Sequence, residues 1–149
     1  VRAMTLDDGD YVIGMDTECE NGKMLVVSEY GFGKKTELSE YKCQSRGGKG
    51  TTTYKISDAT GALAGMEIVT PDDDIMLITS EGIIIRMDSE DISTYGRVTK
   101  GVRLMRFADG VSIISIAKVV KDSEDDSETA ENTDTQEESD VQTTENAEE

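Results

Sequence analysis

Apolar and β-branched positions along this chain come in short alternating runs broken by glycine, asparagine and aspartate, and helical periodicity is never sustained. The runs Thr51 to Ile56, Ala62 to Ile68, Ile75 to Thr79 and Ile83 to Met87 predict four strands. Turn residues separate them at Thr60-Gly61, at Pro71-Asp72-Asp73-Asp74 and at Ser80-Glu81-Gly82. The preceding residues give the same set: Val1 to Leu6, Tyr11 to Asp16, Lys23 to Ser28 and Gly31 to Lys35. The predicted fold class is all-β. Met15, Met24, Met66 and Met76 fall at strand positions, where core packing is expected rather than a metal role. Asp72-Asp73-Asp74 reads as a solvated turn in preference to a cation site.

The pattern repeats at a spacing of 51 residues. Gly14 and Met15 recur as Gly65 and Met66, Gly31 as Gly82, Lys35 as Arg86, and Tyr41 as Ile92. Arg46-Gly47-Gly48-Lys49-Gly50 recurs as Arg97-Val98-Thr99-Lys100-Gly101, and Val1-Arg2-Ala3-Met4 matches Val102-Arg103-Leu104-Met105. A unit of this size cannot bury its apolar face alone and must stack on its neighbours. The expectation is a propeller-like repeat of four-stranded blades, about two of them, with units at 1–50 and 51–101 and the start of a third at 102–121. A chain that opens with Val1 inside a unit reads as the C-terminal piece of a longer polypeptide, and two stacked units are expected to be marginally stable alone.

Charge divides the chain. All 15 Lys and Arg lie at or before Lys121, beside 19 of the 32 acids, so residues 1–121 carry −4 of the total −17. Residues 122–149 hold the other 13 acids with no base and almost no large apolar side chain, a composition that predicts a disordered acidic tail. Tethered beside a basic groove, such a tail could compete with a polyanion or simply aid solubility. Cys19 and Cys43 make neither a CxxC pair nor a zinc spacing, histidine is absent, and Cys43 is expected to be buried or half-buried. Unpaired cysteines fit a reducing cytoplasm. The longest apolar candidates, Ile83 to Ile85 and Val111 to Val120, are too short to span a bilayer.

A segment of about fourteen residues follows each fourth strand, Thr36 to Gly50 and Asp88 to Gly101, and connections of that length usually serve function. Between Lys34 and Lys55, the six bases Lys34, Lys35, Lys42, Arg46, Lys49 and Lys55 stand against only Glu37 and Glu40. Arg97, Lys100, Arg103 and Arg106 form a second cluster free of acids. Phosphate backbones are held by such cations, and glycine-rich turns admit a phosphate close to the main chain. Arg46 would supply a planar fork and Lys49 a point charge on either side of Gly47 and Gly48. The bland alternative is a solvated turn whose glycines serve only φ above zero; recurrence of the same chemistry one period later favours the phosphate reading. Nothing offers a recognition helix or an array for base edges, so sequence-independent contact with double-stranded DNA is expected.

The strings YGFGKKT (Tyr30 to Thr36), YKCQSRGGKG (Tyr41 to Gly50), DDIMLITSEGIIIRM (Asp73 to Met87) and YGRVTKGVRLMRF (Tyr95 to Phe107) resemble the C-terminal domain of the bacterial DNA gyrase A polypeptide. The resemblance covers Val1 to about Val120 and implies a β-pinwheel that wraps DNA so that strand passage introduces negative supercoils. The family's box reads QRRGGKG; Gln44, Arg46, Gly47, Gly48, Lys49 and Gly50 match it, and Ser45 departs. The box normally lies in the first blade, whereas this copy comes later, which leaves its share in wrapping open. By resemblance the DNA-binding residues are Lys34, Lys35, Arg46, Gly47, Gly48, Lys49, Arg97 and Lys100. The partners implied are DNA, the rest of the gyrase A polypeptide, and the gyrase B polypeptide in an A2B2 heterotetramer.

No catalytic residue is assigned. The family's nucleophilic tyrosine lies in a region these residues do not match, and Tyr11, Tyr30, Tyr41, Tyr54 and Tyr95 have no base or magnesium-binding carboxylates nearby in sequence. No cofactor or metal is expected in this piece, with ATP and Mg²⁺ belonging to the complete complex. Three further readings stay open: a topoisomerase IV-like C-terminal domain, a protein-binding propeller segment, and a stand-alone nucleoid protein.

Overall fold

A computed structural model describes residues 1–121; the predicted acidic tail, 122–149, lies outside the described residues. Seven strands run in chain order: β1 (Lys23–Ser28), β2 (Phe32–Glu37), β3 (Leu63–Val69), β4 (Asp73–Thr79), β5 (Ile84–Asp88), β6 (Val102–Arg103) and β7 (Ile113–Val120). All strand pairs are antiparallel, in a four-stranded sheet of order β3-β1-β2-β6 and a three-stranded sheet of order β5-β4-β7.

The 51-residue period is written into the backbone. The β1–β2 hairpin turns at Gly31 with φ +78°, and the β4–β5 hairpin turns at Gly82 with φ +79°. Glycine is needed there because a side chain disfavours positive φ. Short 3-10 turns follow each hairpin, at Leu38–Glu40 and Ser89–Asp91. β3 docks on β1 as β7 docks on β4, with the same one-residue register slip near the strand end, at Val27/Ser28 and at Ile78/Thr79.

This pairing corrects the expected strand grouping. A sheet is not one contiguous unit: β1 and β2 take β3 and β6 from farther along the chain, and β4 and β5 take β7. Val1 to Leu6, Tyr11 to Asp16 and Thr51 to Ile56 are not strands; Met4 and Tyr54 make single bridges to Gly48 and Thr99. A β-branched run becomes a strand only where a second chain segment lies alongside to pair with it.

The main core fills the space between the two sheets with Leu25, Val27, Val69, Ile75, Leu77, Ile92, Ile113 and Ile116. A smaller cluster of Val26, Phe32 and Tyr54, with Met24, Leu63 and Met66 against it, covers the other face of the first sheet. Met15 does not join either cluster and is 94% exposed. Cys43 is exposed rather than buried, as is Cys19. The aspartate turn is structural: Asp73 accepts hydrogen bonds from the Thr70 N–H at 2.7 Å and hydroxyl at 2.9 Å, and Asp74 pairs with Arg86.

Candidate nucleic-acid interface

Each cationic loop is laid against the opening segment of its own unit. In the first, the Gly47 N–H donates to the Ala3 carbonyl at 2.8 Å, and the Thr5 N–H donates to the Gly48 carbonyl at 2.8 Å. The Thr5 hydroxyl donates to the Gly47 carbonyl. One period later, Tyr54 bridges Thr99 and the Lys55 N–H donates to the Thr99 carbonyl. Gly50 and Gly101 close the two loops with φ of +84° and +68°. The chain therefore leaves one cationic loop at Gly50 and runs directly along the next.

In the first loop, Gln44, Ser45, Arg46 and Lys49 are exposed and Gly47 and Gly48 partly so. Gln44 donates to the Thr51 hydroxyl and braces the base of the loop. No hydrogen bond or ion pair among the described residues engages the Arg46 side chain. Lys49 pairs with Asp7 at 2.8 Å, but both side chains are over 70% exposed. A surface pair of that kind is worth little, about 1 kcal/mol or less, so a phosphate can displace the carboxylate. The Gly47 N–H is already committed to Ala3, which leaves Gly47 a conformational role: its φ is +80°, and open space surrounds its missing side chain.

In the second loop, Arg97 donates from Nη1 to the Thr52 carbonyl at 2.8 Å, close in sequence to Lys49. Lys100 is exposed, and its ammonium stands 5.9 Å from the Phe32 ring centre. The Arg103 guanidinium stands 4.8 Å from the same ring. Phe32 thus gathers two cations, a contribution that charge counting alone missed. Arg106, Lys42 and Lys55 are exposed as well.

Lys34 and Lys35 are corrected from surface cations to buried ones. Lys34 is 0% exposed and donates to the carbonyls of Gly96 at 2.7 Å and Arg97 at 2.5 Å. Lys35 donates to the Ser89 carbonyl at 2.5 Å. Desolvation is the main cause that holds both ammonium groups below the ordinary lysine pKa. β2 lies between β1 and β6, and the loop of the following unit covers it.

Among the described residues no group of three or more His, Cys, Asp or Glu is placed to hold a metal ion. No helix there is long and apolar enough to cross a membrane.

Residues 1–17, 22–70 and 73–119 match the family model described as DNA gyrase C-terminal domain, beta-propeller. The DNA gyrase A polypeptide of Staphylococcus aureus is 41% identical over 128 residues, which is 85% of this chain and 14% of that protein. The chain thus spans a small fraction of the length of the curated relatives it matches. A solved DNA gyrase A C-terminal domain superposes with a TM-score of 0.62 at 32% identity, over 67% of this chain and 34% of that one. The C-terminal domain of a DNA topoisomerase IV superposes with a TM-score of 0.74 over 80% of this chain and 38% of that one, and at 23% identity it shares the fold. Family match, identity and superposition agree: this chain belongs to the DNA gyrase C-terminal domain family of β-propellers.

Proposed function

We propose that this chain binds and wraps double-stranded DNA without reading its sequence, as the C-terminal part of a gyrase A polypeptide. The observation that carries the reading is the repeated seating of the cationic loops, each bridged to the start of its own unit and linked directly to the next. Arg46 and Lys49 would meet the phosphates from the first loop, Arg97 and Lys100 from the second, with Gly47 and Gly48 setting the turn. Arg103 and Phe32 extend the second contact. Lys34 and Lys35 are not in this contact set. Within the same proposal, the complete gyrase A polypeptide works with gyrase B as an A2B2 assembly in the cytoplasm, on the nucleoid. Negative supercoiling, with its ATP and Mg²⁺, belongs to that assembly, and this chain supplies no catalytic group.

The test is duplex affinity across a salt series for the parent and for Arg46→Ala with Lys49→Ala. Each phosphate contact contributes about 0.9 to the slope of log affinity against log salt, so losing two is expected to flatten it by roughly 2, equally for unrelated sequences. An unchanged slope would remove this loop from the interface.

A further inference from the structure

The best-anchored cation of the second loop is held by two residues from the unit before it. The Arg97 N–H donates to Glu40 Oε2 at 2.8 Å, and its carbonyl accepts from Lys34 Nζ at 2.5 Å. Lys34 also donates to the Gly96 carbonyl, which takes the Thr99 hydroxyl at 3.1 Å. The neighbouring backbone is joined to the same strand: the Tyr95 N–H donates to the Lys35 carbonyl at 2.8 Å, and the Lys35 N–H to the Ser93 carbonyl at 3.0 Å. β2 therefore serves as the scaffold for the cationic loop of the following unit.

Lys34 is too deeply buried to touch a phosphate. A buried ammonium is tolerated where fixed acceptors replace its water, and here those acceptors are two loop carbonyls. Glu40 is exposed and acidic beside a cationic loop, the wrong charge for a phosphate contact. Its carboxylate accepts the Arg97 N–H, a donor that the Lys34 ammonium cannot hold. One period later the same positions hold Ile85 and Asp91, so the lysine device belongs to this junction.

We propose that Lys34 and Glu40 are positioning residues for DNA binding: they fix the main chain at Arg97 so that Arg97 and Lys100 face the duplex in a preset geometry. The inference rests on the DNA-binding reading and adds the coupling between consecutive units.

Glu40→Gln and Glu40→Ala in the full chain separate this from plain electrostatics. Both remove one negative charge, but only glutamine keeps an acceptor for the Arg97 N–H. Charge alone makes the two variants bind duplex DNA equally. Positioning makes Glu40→Ala weaker than Glu40→Gln by about fivefold, the worth of one ordinary hydrogen bond. The gap is expected to close when Arg97→Ala and Lys100→Ala are also present, since nothing then remains to be positioned. Lys34→Met is expected to bind about tenfold more weakly, with the same loss of effect in that background. Should Lys34→Met fail to fold, the Glu40 pair decides alone. Equal affinities for the two Glu40 variants, or a gap that survives without Arg97 and Lys100, would overturn the proposal. Amide exchange in the free chain tests the scaffold apart from DNA: Arg97 is expected to exchange faster in Glu40→Ala than in Glu40→Gln, and equal rates would sink it. A parent chain with no salt-dependent duplex binding would strike the DNA reading and leave the exchange result standing.

Discussion

Gly101 and Gly47 both take positive φ, yet a side chain would meet very different surroundings at the two. A Cβ on Gly101 would sit 2.2 Å from the Gly33 carbonyl oxygen, a backbone atom that has little room to move, whereas open space surrounds Gly47. Gly47→Ala is expected to cost about 1 kcal/mol, the strain of the left-handed backbone alone. Gly101→Ala is expected to cost at least about 3 kcal/mol, since overpacking adds to that strain. Urea unfolding of the two variants checks the ranking, and equal costs would mean that the β2 contact yields freely. The glycines of the box were legible as turn formers. Lys34 and Lys35 were not legible as buried groups, because a count of local charge says nothing about what covers a strand. Glu40 gave no signal at all, since its role depends on a backbone N–H more than fifty residues away. Met15 and Cys43 misled for the same reason: burial depends on what the fold lays over a side chain, and both side chains are left exposed.

Strand-to-strand seams explain why certain residues recur. A Cβ on Gly65 would lie 2.7 Å from Ile116 Cγ1, and one on Gly14 would lie 3.1 Å from Met66 Cγ. In each case the apolar residue about one period later rests on the glycine, so Gly14 and Gly65 recur to let the next segment pack closely. Gly65→Val is expected to push β7 away from β3 and cost about 2–3 kcal/mol, measured by thermal or urea unfolding. A neutral effect would show that the seam is loose.

A second seam is ionic. Asp16 accepts the Ile68 N–H at 2.8 Å and the Thr17 N–H at 2.7 Å, with Lys118 at 3.5 Å. The bond from Ile68 leads the causes that hold the Asp16 carboxyl below its ordinary value of 3.8. A carboxylate depressed on folding adds stability that is complete above the unfolded value and is lost as pH falls through the folded one. The stability gap between the parent and Asp16→Ala is therefore expected to persist at neutral pH and shrink below about pH 4. A gap that does not change with pH would rule out the carboxylate as its source.

Five of the seven strands were legible from alternation and turn residues, because β1 to β5 carry their pattern locally. What alternation could not show was partnership. Thr51 to Ile56 has as much β-branching as any strand, but it lines a cationic loop and pairs only at Tyr54. The mixing of units within one sheet was hidden for the same reason, since period reveals equivalence and not adjacency.

At the scale of the whole molecule, two sheets share one apolar core and carry consecutive cationic loops joined end to end. Covalent linkage and the Lys34 and Glu40 contacts tie the second loop to the unit before it, so the two loops are held as successive contacts. In the proposed reading, a duplex held at both loops has its path set by them, which converts binding into a change of DNA path. The measurement that tests this most directly is the linking number of nicked circles sealed while bound to the complete gyrase polypeptide carrying this chain. The account expects a shift with the parent, a smaller shift when either Arg46 and Lys49 or Arg97 and Lys100 are replaced by alanine, and the smallest when all four are. A shift that stays at the parental value in the fourfold variant would contradict it.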